Sequence, residues 1–102
     1  MWESIIAEFT KNPRDVKTVP IIPREPKWFY VLVEADNLYV ESGRTHFNHS
    51  QISDRRNLQR VEFKTMLDLY HRRKRGEAVA VEATNKTQNQ VYWYGIFAEM
   101  NL

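Results

Sequence analysis

Residues 28–42 decide the fold, and they read WFYVLVEADNLYVES. Residues 28–33 are mostly aromatic or β-branched, which is the composition of a β-strand. Residues 38–42 have a similar character. Asp36 and Asn37 between them are typical of a tight turn, because both side chains bond to the local backbone and tolerate positive φ. The stretch therefore predicts a β-hairpin.

A second hairpin is predicted after Gly76. Residues 78–83 are small or β-branched, and residues 91–97 read VYWYGIF, an aromatic and β-branched run. The polar residues 84–90 between them have turn composition. We therefore expect two further strands at this end of the chain.

The competing interpretation makes residues 89–100 a helix. Three of their apolar side chains would then lie on one face: Trp93, Phe97 and Met100. The high β propensity of the aromatic residues and the poor helix propensity of Gly95 favour the strand.

Residues 58–75, between the two hairpins, carry the strongest helical pattern in the chain. Their apolar side chains repeat at the i, i+3, i+4 and i+7 spacing of one helix face: Phe63, Met66, Leu67 and Tyr70. Asn57 is suited to cap the start of this helix and Gly76 to end it. We expect the helix to pack on one face of the sheet.

Residues 1–11 predict a short N-terminal helix with one apolar stripe, formed by Trp2, Ile5, Ile6 and Phe9. A helix of three turns is not stable alone, so the stripe must pack on the domain or on another subunit. These four residues are therefore our candidate oligomer interface. Residues 12–27 contain all four prolines and predict an extended connector.

The expected fold is thus α+β, with the element order α-β-β-α-β-β and a four-stranded antiparallel sheet made of two hairpins. Its 102 residues correspond to a single domain, 1–102. Within it we expect the N-terminal helix 1–11, the proline-rich connector 12–27 and an α+β core, 28–102.

Positive charge is concentrated in residues 55–75, with eight lysines and arginines against two acidic residues, although the net charge of the chain is only +2. Such a local excess is typical of surfaces that bind polyanions. The alternative is a solvated helix end whose cations complement the helix dipole. The candidate nucleic-acid-binding residues are Arg55, Arg56, Arg60, Arg72, Arg73, Lys74 and Arg75.

Aromatic residues of the predicted strands form a second candidate site. Because side chains alternate across a strand, about half of them should face the core and the rest the opposite face. That second face could be covered by a partner, the N-terminal helix or a ligand. The candidate pocket residues are Trp28, Tyr92 and Tyr94.

Several functional classes find no support in the sequence. The absence of cysteine excludes disulfides, thiolate nucleophiles and cysteine-bound zinc. His46 and His49 have a His-x-x-His spacing, but a metal site needs further ligands, and we interpret them as exposed histidines of a polar loop that runs to about Asn57. The few glycines make no phosphate-binding motif. We therefore predict no metal, no cofactor and no catalytic residue.

No run of apolar residues approaches the length of a membrane span, and no segment has the pattern of a secretory signal. We expect a cytoplasmic protein without a membrane partner. The favoured interpretation is a non-enzymatic interaction domain that forms a homodimer. A nucleic-acid-binding module is the alternative. The second alternative is a small-ligand-binding protein, or an enzyme, with an aromatic-lined pocket.

Overall fold

A computed structural model describes residues 1–21 and 23–102 of the chain. In chain order its elements are α1 (Trp2–Lys11), β1 (Arg14–Lys17), β2 (Trp28–Glu34), β3 (Asn37–Ser42), β4 (Arg56–Leu58), α2 (Arg60–Lys74), α3 (Ala80–Lys86) and α4 (Gln90–Glu99). The four strands form one antiparallel sheet in the order β1-β2-β3-β4. The predicted α+β class and four-stranded antiparallel sheet are confirmed.

The hairpin of β2 and β3 is the element that the sequence predicts best. Glu34 pairs with Asn37, so that Ala35 and Asp36 alone form the turn. Both turn residues have positive φ, 49° and 61°. That conformation matches the twist of the two strands it joins.

Strands β1 and β4 correct the prediction for two segments. β1 lies in the stretch 12–27, expected to be only a connector. β4 takes up the end of the expected loop, with Asn57, and Leu58 of the expected helix, so α2 begins at Arg60 with Gln59 as its N-cap. Both strands are short, with four and three residues. β1 is free of proline, because the nearest prolines, Pro13 and Pro20, lie outside it. The prolines of the stretch 12–27 therefore exclude a strand only where they stand, on either side of β1.

The prediction of a second hairpin is wrong, because its two segments form helices α3 and α4. The competing helical interpretation of residues 89–100 is confirmed by α4. α4 is buried on nearly all sides, from Tyr92 to Phe97, which removes the amphipathic pattern of a surface helix. Gly95 is required by packing, since a Cβ there would lie 2.7 Å from the carbonyl oxygen of Lys17. Propensity therefore yields to tertiary contact.

Helices α1 and α4 pack on the sheet, α1 against β2 and α4 against β1. α2, which we expected on the sheet, packs mainly on α4. Trp93 of α4 connects the two helices, because its indole Nε1 donates to Glu62 of α2 at 3.1 Å. The side chains of the sheet that meet the helices form its inner face: Val16, Phe29, Val31, Leu38, Val40 and Leu58.

Candidate functional site

The outer face of the sheet, turned away from the helices, carries the second set of alternating strand residues. It presents Tyr30 of β2, together with Tyr39 and Glu41 of β3, all partly buried. Residues 43–55, which we call the outer loop, cross this face between β3 and β4. The cover on the outer face is therefore a part of the chain itself.

Asp15 of β1 holds the first part of the outer loop. Its carboxylate is almost fully buried and accepts hydrogen bonds from the backbone amides of Arg44 and Thr45, both at 2.9 Å. It also accepts from the Thr45 hydroxyl at 3.1 Å and contacts His46 Nδ1 at 2.9 Å. Burial alone would raise the pKa of Asp15, but these hydrogen bonds outweigh it and lower the pKa from 3.8 to about 2.

Trp28 holds the next part of the loop. Its ring stacks on His46 with 3.4 Å between ring centroids and 7° between the planes. Its backbone amide donates to Asn48 O at 2.9 Å, and its carbonyl accepts from Ser50 N at 2.8 Å. Gly43 allows this approach, since a Cβ there would lie 2.8 Å from the carbonyl oxygen of Trp28.

Two arginines cover the outer-face tyrosines. The Arg44 guanidinium lies 3.7 Å from the ring centroid of Tyr30, and that of Arg55 lies 4.6 Å from the centroid of Tyr39. Glu41 lies between them and pairs with both, at 2.6 and 2.8 Å. These hydrogen bonds lower the pKa of Glu41. We expected a partner, the N-terminal helix or a ligand to cover this face, but the outer loop covers its tyrosines instead.

Phe47 stands out on this loop because its side chain is fully exposed. Its two neighbours are held in place, His46 by Trp28 and Asp15, and Asn48 by a bond from its side-chain Nδ2 to Pro26 O at 2.9 Å. Phe47 is not among the candidate residues that the sequence predicts. The only signal was an aromatic residue between two loop histidines.

The basic candidates do not form one patch. Arg55 lies on the outer face, while Arg60, at the start of α2, pairs with Glu3 of α1 at 2.8 Å. At the other end of α2, Arg72 pairs with Glu77 and Glu82, and Arg75 with Glu77. The other three candidates contact neutral groups. Arg56 contacts Asn89 and the Tyr92 ring. Arg73 contacts Val19 O and the Tyr94 ring, and Lys74 contacts the Tyr70 ring.

The pocket candidates lie apart from one another. Trp28 is on the outer face, and Tyr92 is buried on the inner side, with its ring centroid 5.1 Å from that of Phe29. Tyr94 lines a pocket of about 240 Å³, which we call the Tyr94 pocket. The structure therefore does not bring the three aromatics into one site.

Most of the candidate oligomer interface is used inside the chain. Trp2, Ile5 and Phe9 are buried in the chain's own core. Ile6 is half-buried and lines a groove of about 870 Å³ between α1 and the ends of β3 and β4, which we call the end groove. Leu38 also lines this groove.

The loop histidines are held separately, since His49 Nδ1 lies 3.3 Å from Ser50 O whereas His46 contacts Asp15. Within residues 1–21 and 23–102, no three His, Asp or Glu side chains are grouped as metal ligands. No helix in the same ranges has the length and apolar character needed to cross a membrane. The chain matches no protein-family model, no curated protein and no solved structure.

Proposed function

We propose that this chain is a non-enzymatic interaction domain that forms a homodimer through Phe47. The observation that carries the proposal is a fully exposed phenylalanine between loop residues that are hydrogen-bonded and stacked against the sheet. Burying such a side chain contributes roughly 1.5–3 kcal/mol. Because the loop is already ordered, less conformational entropy is lost on binding.

The end groove supports a second copy of the chain as the partner. Trp2, Leu38 and Leu58 line it but are almost fully buried, so its accessible apolar surface comes from the half-buried Ile6 and the exposed Ala7. Its volume of about 870 Å³ exceeds that of a phenylalanine side chain. Aromatic anchors in apolar pockets supply most of the binding energy in many interfaces. One chain therefore carries both an exposed aromatic anchor and a groove large enough to receive it.

The positions of Phe47 and the end groove favour a two-fold dimer. The outer loop leaves the sheet near the Phe29–Ser42 pair, whereas the groove includes Asn37 near the Glu34–Asn37 pair at the opposite end of the hairpin. In a two-fold dimer, each Phe47 would enter the end groove of the other copy. Such reciprocal contacts are the property of a closed, isologous dimer.

Sedimentation velocity over a range up to high micromolar concentration tests this proposal. Wild type should dimerise, and Phe47→Ser should be monomeric at the same concentrations. Val81→Ser is the matched control, because Val81 is an exposed apolar residue of α3 outside both surfaces. It should dimerise like wild type.

A complementation experiment tests the pairing itself. Ala7 is exposed on α1 and lines the end groove, so Ala7→Arg should block the groove without disturbing the core. Each single variant should be monomeric, and their mixture should form a heterodimer with one intact contact. Wild type that stays monomeric at high micromolar concentration would contradict the proposal.

Nucleic-acid binding receives less support from this geometry. Six carboxylates pair with the basic candidates, from Glu3, Glu34, Glu41, Asp68, Glu77 and Glu82. They reduce the local positive field that would attract a polyanion. Titration with labelled single- and double-stranded DNA and RNA at two salt concentrations separates the two functions. Tight binding that weakens steeply with salt would favour the nucleic-acid role.

A further inference from the structure

The Tyr94 pocket lies where residues 18–20 and 24–27 approach helices α2 and α4. Its volume of about 240 Å³ is below the roughly 300–1,000 Å³ of most ligand pockets, so it suits only a small ligand. Arg73 of α2, Tyr94 of α4 and Ser50 of the outer loop line it as well. Four separate parts of the fold therefore meet at this pocket: the connector, α2, α4 and the outer loop.

Positive charge around the pocket has no carboxylate partner. Arg24, Lys27 and Arg73 line it, together with one acidic residue, Glu25. Across the described ranges, none of these four residues forms an ion pair, whereas every other arginine except Arg56 does. The three cations exceed the one carboxylate by two charges, and such an excess in a concave site attracts an anion.

Arg73 is the best-placed donor. Its guanidinium donates to the carbonyl oxygen of Val19 and lies 4.8 Å from the ring centroid of Tyr94. These two contacts hold the side chain in one position. A guanidinium carries five N–H donors, and its planar fork matches two oxygens of a phosphate or carboxylate.

Tyr94 supplies an independent observation. Only 6% of the residue is exposed, and its hydroxyl oxygen has no hydrogen-bond partner in the described part of the chain. Burial raises the pKa of Tyr94, an effect that nearby Arg73 partly offsets, so the hydroxyl is a proton donor at neutral pH. A buried polar group without a partner is uncommon in a folded protein and is explained when a ligand completes its hydrogen bonding. Because Tyr94 also lines the pocket, its hydroxyl is the candidate donor to an anion bound there.

We propose that the Tyr94 pocket binds a small oxyanion, namely the phosphate group of a small phosphate monoester. Arg73 and Arg24 contact the phosphate oxygens, and Lys27 adds charge at the entrance. This site is separate from Phe47 and the end groove, so it does not depend on dimerisation.

Isothermal titration calorimetry with inorganic phosphate, against chloride at matched ionic strength, tests the site. Wild type should bind phosphate in the millimolar range or tighter. Arg24→Gln should weaken binding about tenfold, the effect of losing one charge-assisted hydrogen bond. Arg75→Gln is the matched control, because Arg75 is exposed on the same end of α2 and does not line the pocket, so its binding should match wild type.

Tyr94→Phe adds a readout that a purely structural role would not give. Removal of the unpartnered hydroxyl should leave the melting temperature in chloride unchanged or higher, while phosphate binding becomes weaker. A short single-stranded oligonucleotide that displaces phosphate would identify a nucleic-acid phosphate as the source of the ligand. No phosphate binding at low ionic strength would overturn the proposal, and so would equal losses in Arg24→Gln and Arg75→Gln.

Discussion

The inner face of the sheet buries Phe29, Val31 and Val40 against helices, whereas the outer face covers Tyr30 and Tyr39 with arginines of the chain's own loop. Apolar burial on the inner face contributes roughly 25 cal/mol for each Å² removed from water. Exposed cation–π contacts and surface ion pairs contribute about 1 kcal/mol or less each. One sheet therefore has a face that stabilises the fold and a face that positions a loop.

Asp15 is the exception on the outer face. It is a buried carboxylate that accepts several hydrogen bonds from the outer loop, so it contributes more than the exposed arginines around it. Substituting one side chain at a time tests which face contributes more to the stability of the fold.

The largest effect is expected on the inner side, at Trp93. Trp93→Ala should destabilise the fold by about 3–5 kcal/mol, because it leaves a cavity in the core and removes the donor to Glu62. Trp28→Ala on the outer face is the matched comparison and should cost less than half as much, since Trp28 is only half-buried. Denaturant unfolding measures both, and equal losses would remove the distinction between the faces.

An intermediate effect is expected at Asp15. Asp15→Asn should destabilise the fold by about 2 kcal/mol at neutral pH, because the pKa of Asp15 is lowered from 3.8 to about 2. The folded-state pKa is below that of the unfolded chain, so this stabilisation is complete above about pH 4 and is lost as the pH falls toward about 2. Unfolding curves across that range should converge for wild type and variant. Curves that stay parallel would contradict the role of the carboxylate.

The smallest effect is expected at Arg55. Arg55→Gln uncovers Tyr39 and releases Glu34 and Glu41, yet these groups are close to solvent, so the loss should be smaller than that of Asp15→Asn. Added salt should reduce the difference further, because it screens exposed charges. Arg75 stacks on no aromatic ring of the described residues, so Arg75→Gln should change stability even less. A loss at Arg55 as large as that at Asp15 would show that the outer-face arginines dominate.

The sequence predicts those elements whose signals are local. The turn between β2 and β3 is encoded within one hairpin and is found. The apolar stripe of α2 is found for Phe63, Met66 and Tyr70, while Leu67 is only half-buried and Leu69 is buried beside them. α4 could not be recognised, because a helix buried on nearly all sides has no polar face to set the period. Its Gly95 indicates a strand by propensity but serves a close approach to β1.

The candidate site depends on contacts between distant positions. Asp15 and Arg44 are far apart in the sequence, and nothing in either segment indicates that they meet. Arg55 contributes to the basic excess in the sequence, and only the fold shows that Glu34 and Glu41 pair with it. Phe47 can be recognised as a candidate contact residue only from the structure, which shows that its neighbours are held in place and that its side chain is exposed.

Amide hydrogen exchange by NMR tests most directly whether the outer loop is held against the sheet so that it presents Phe47. The Arg44 and Thr45 amides, bonded to Asp15, should exchange much more slowly than the Phe47 amide, which donates no hydrogen bond within the described residues. In Asp15→Asn their exchange rates should approach that of Phe47. Arg44 and Thr45 amides that exchange as fast as Phe47 in wild type would contradict the account.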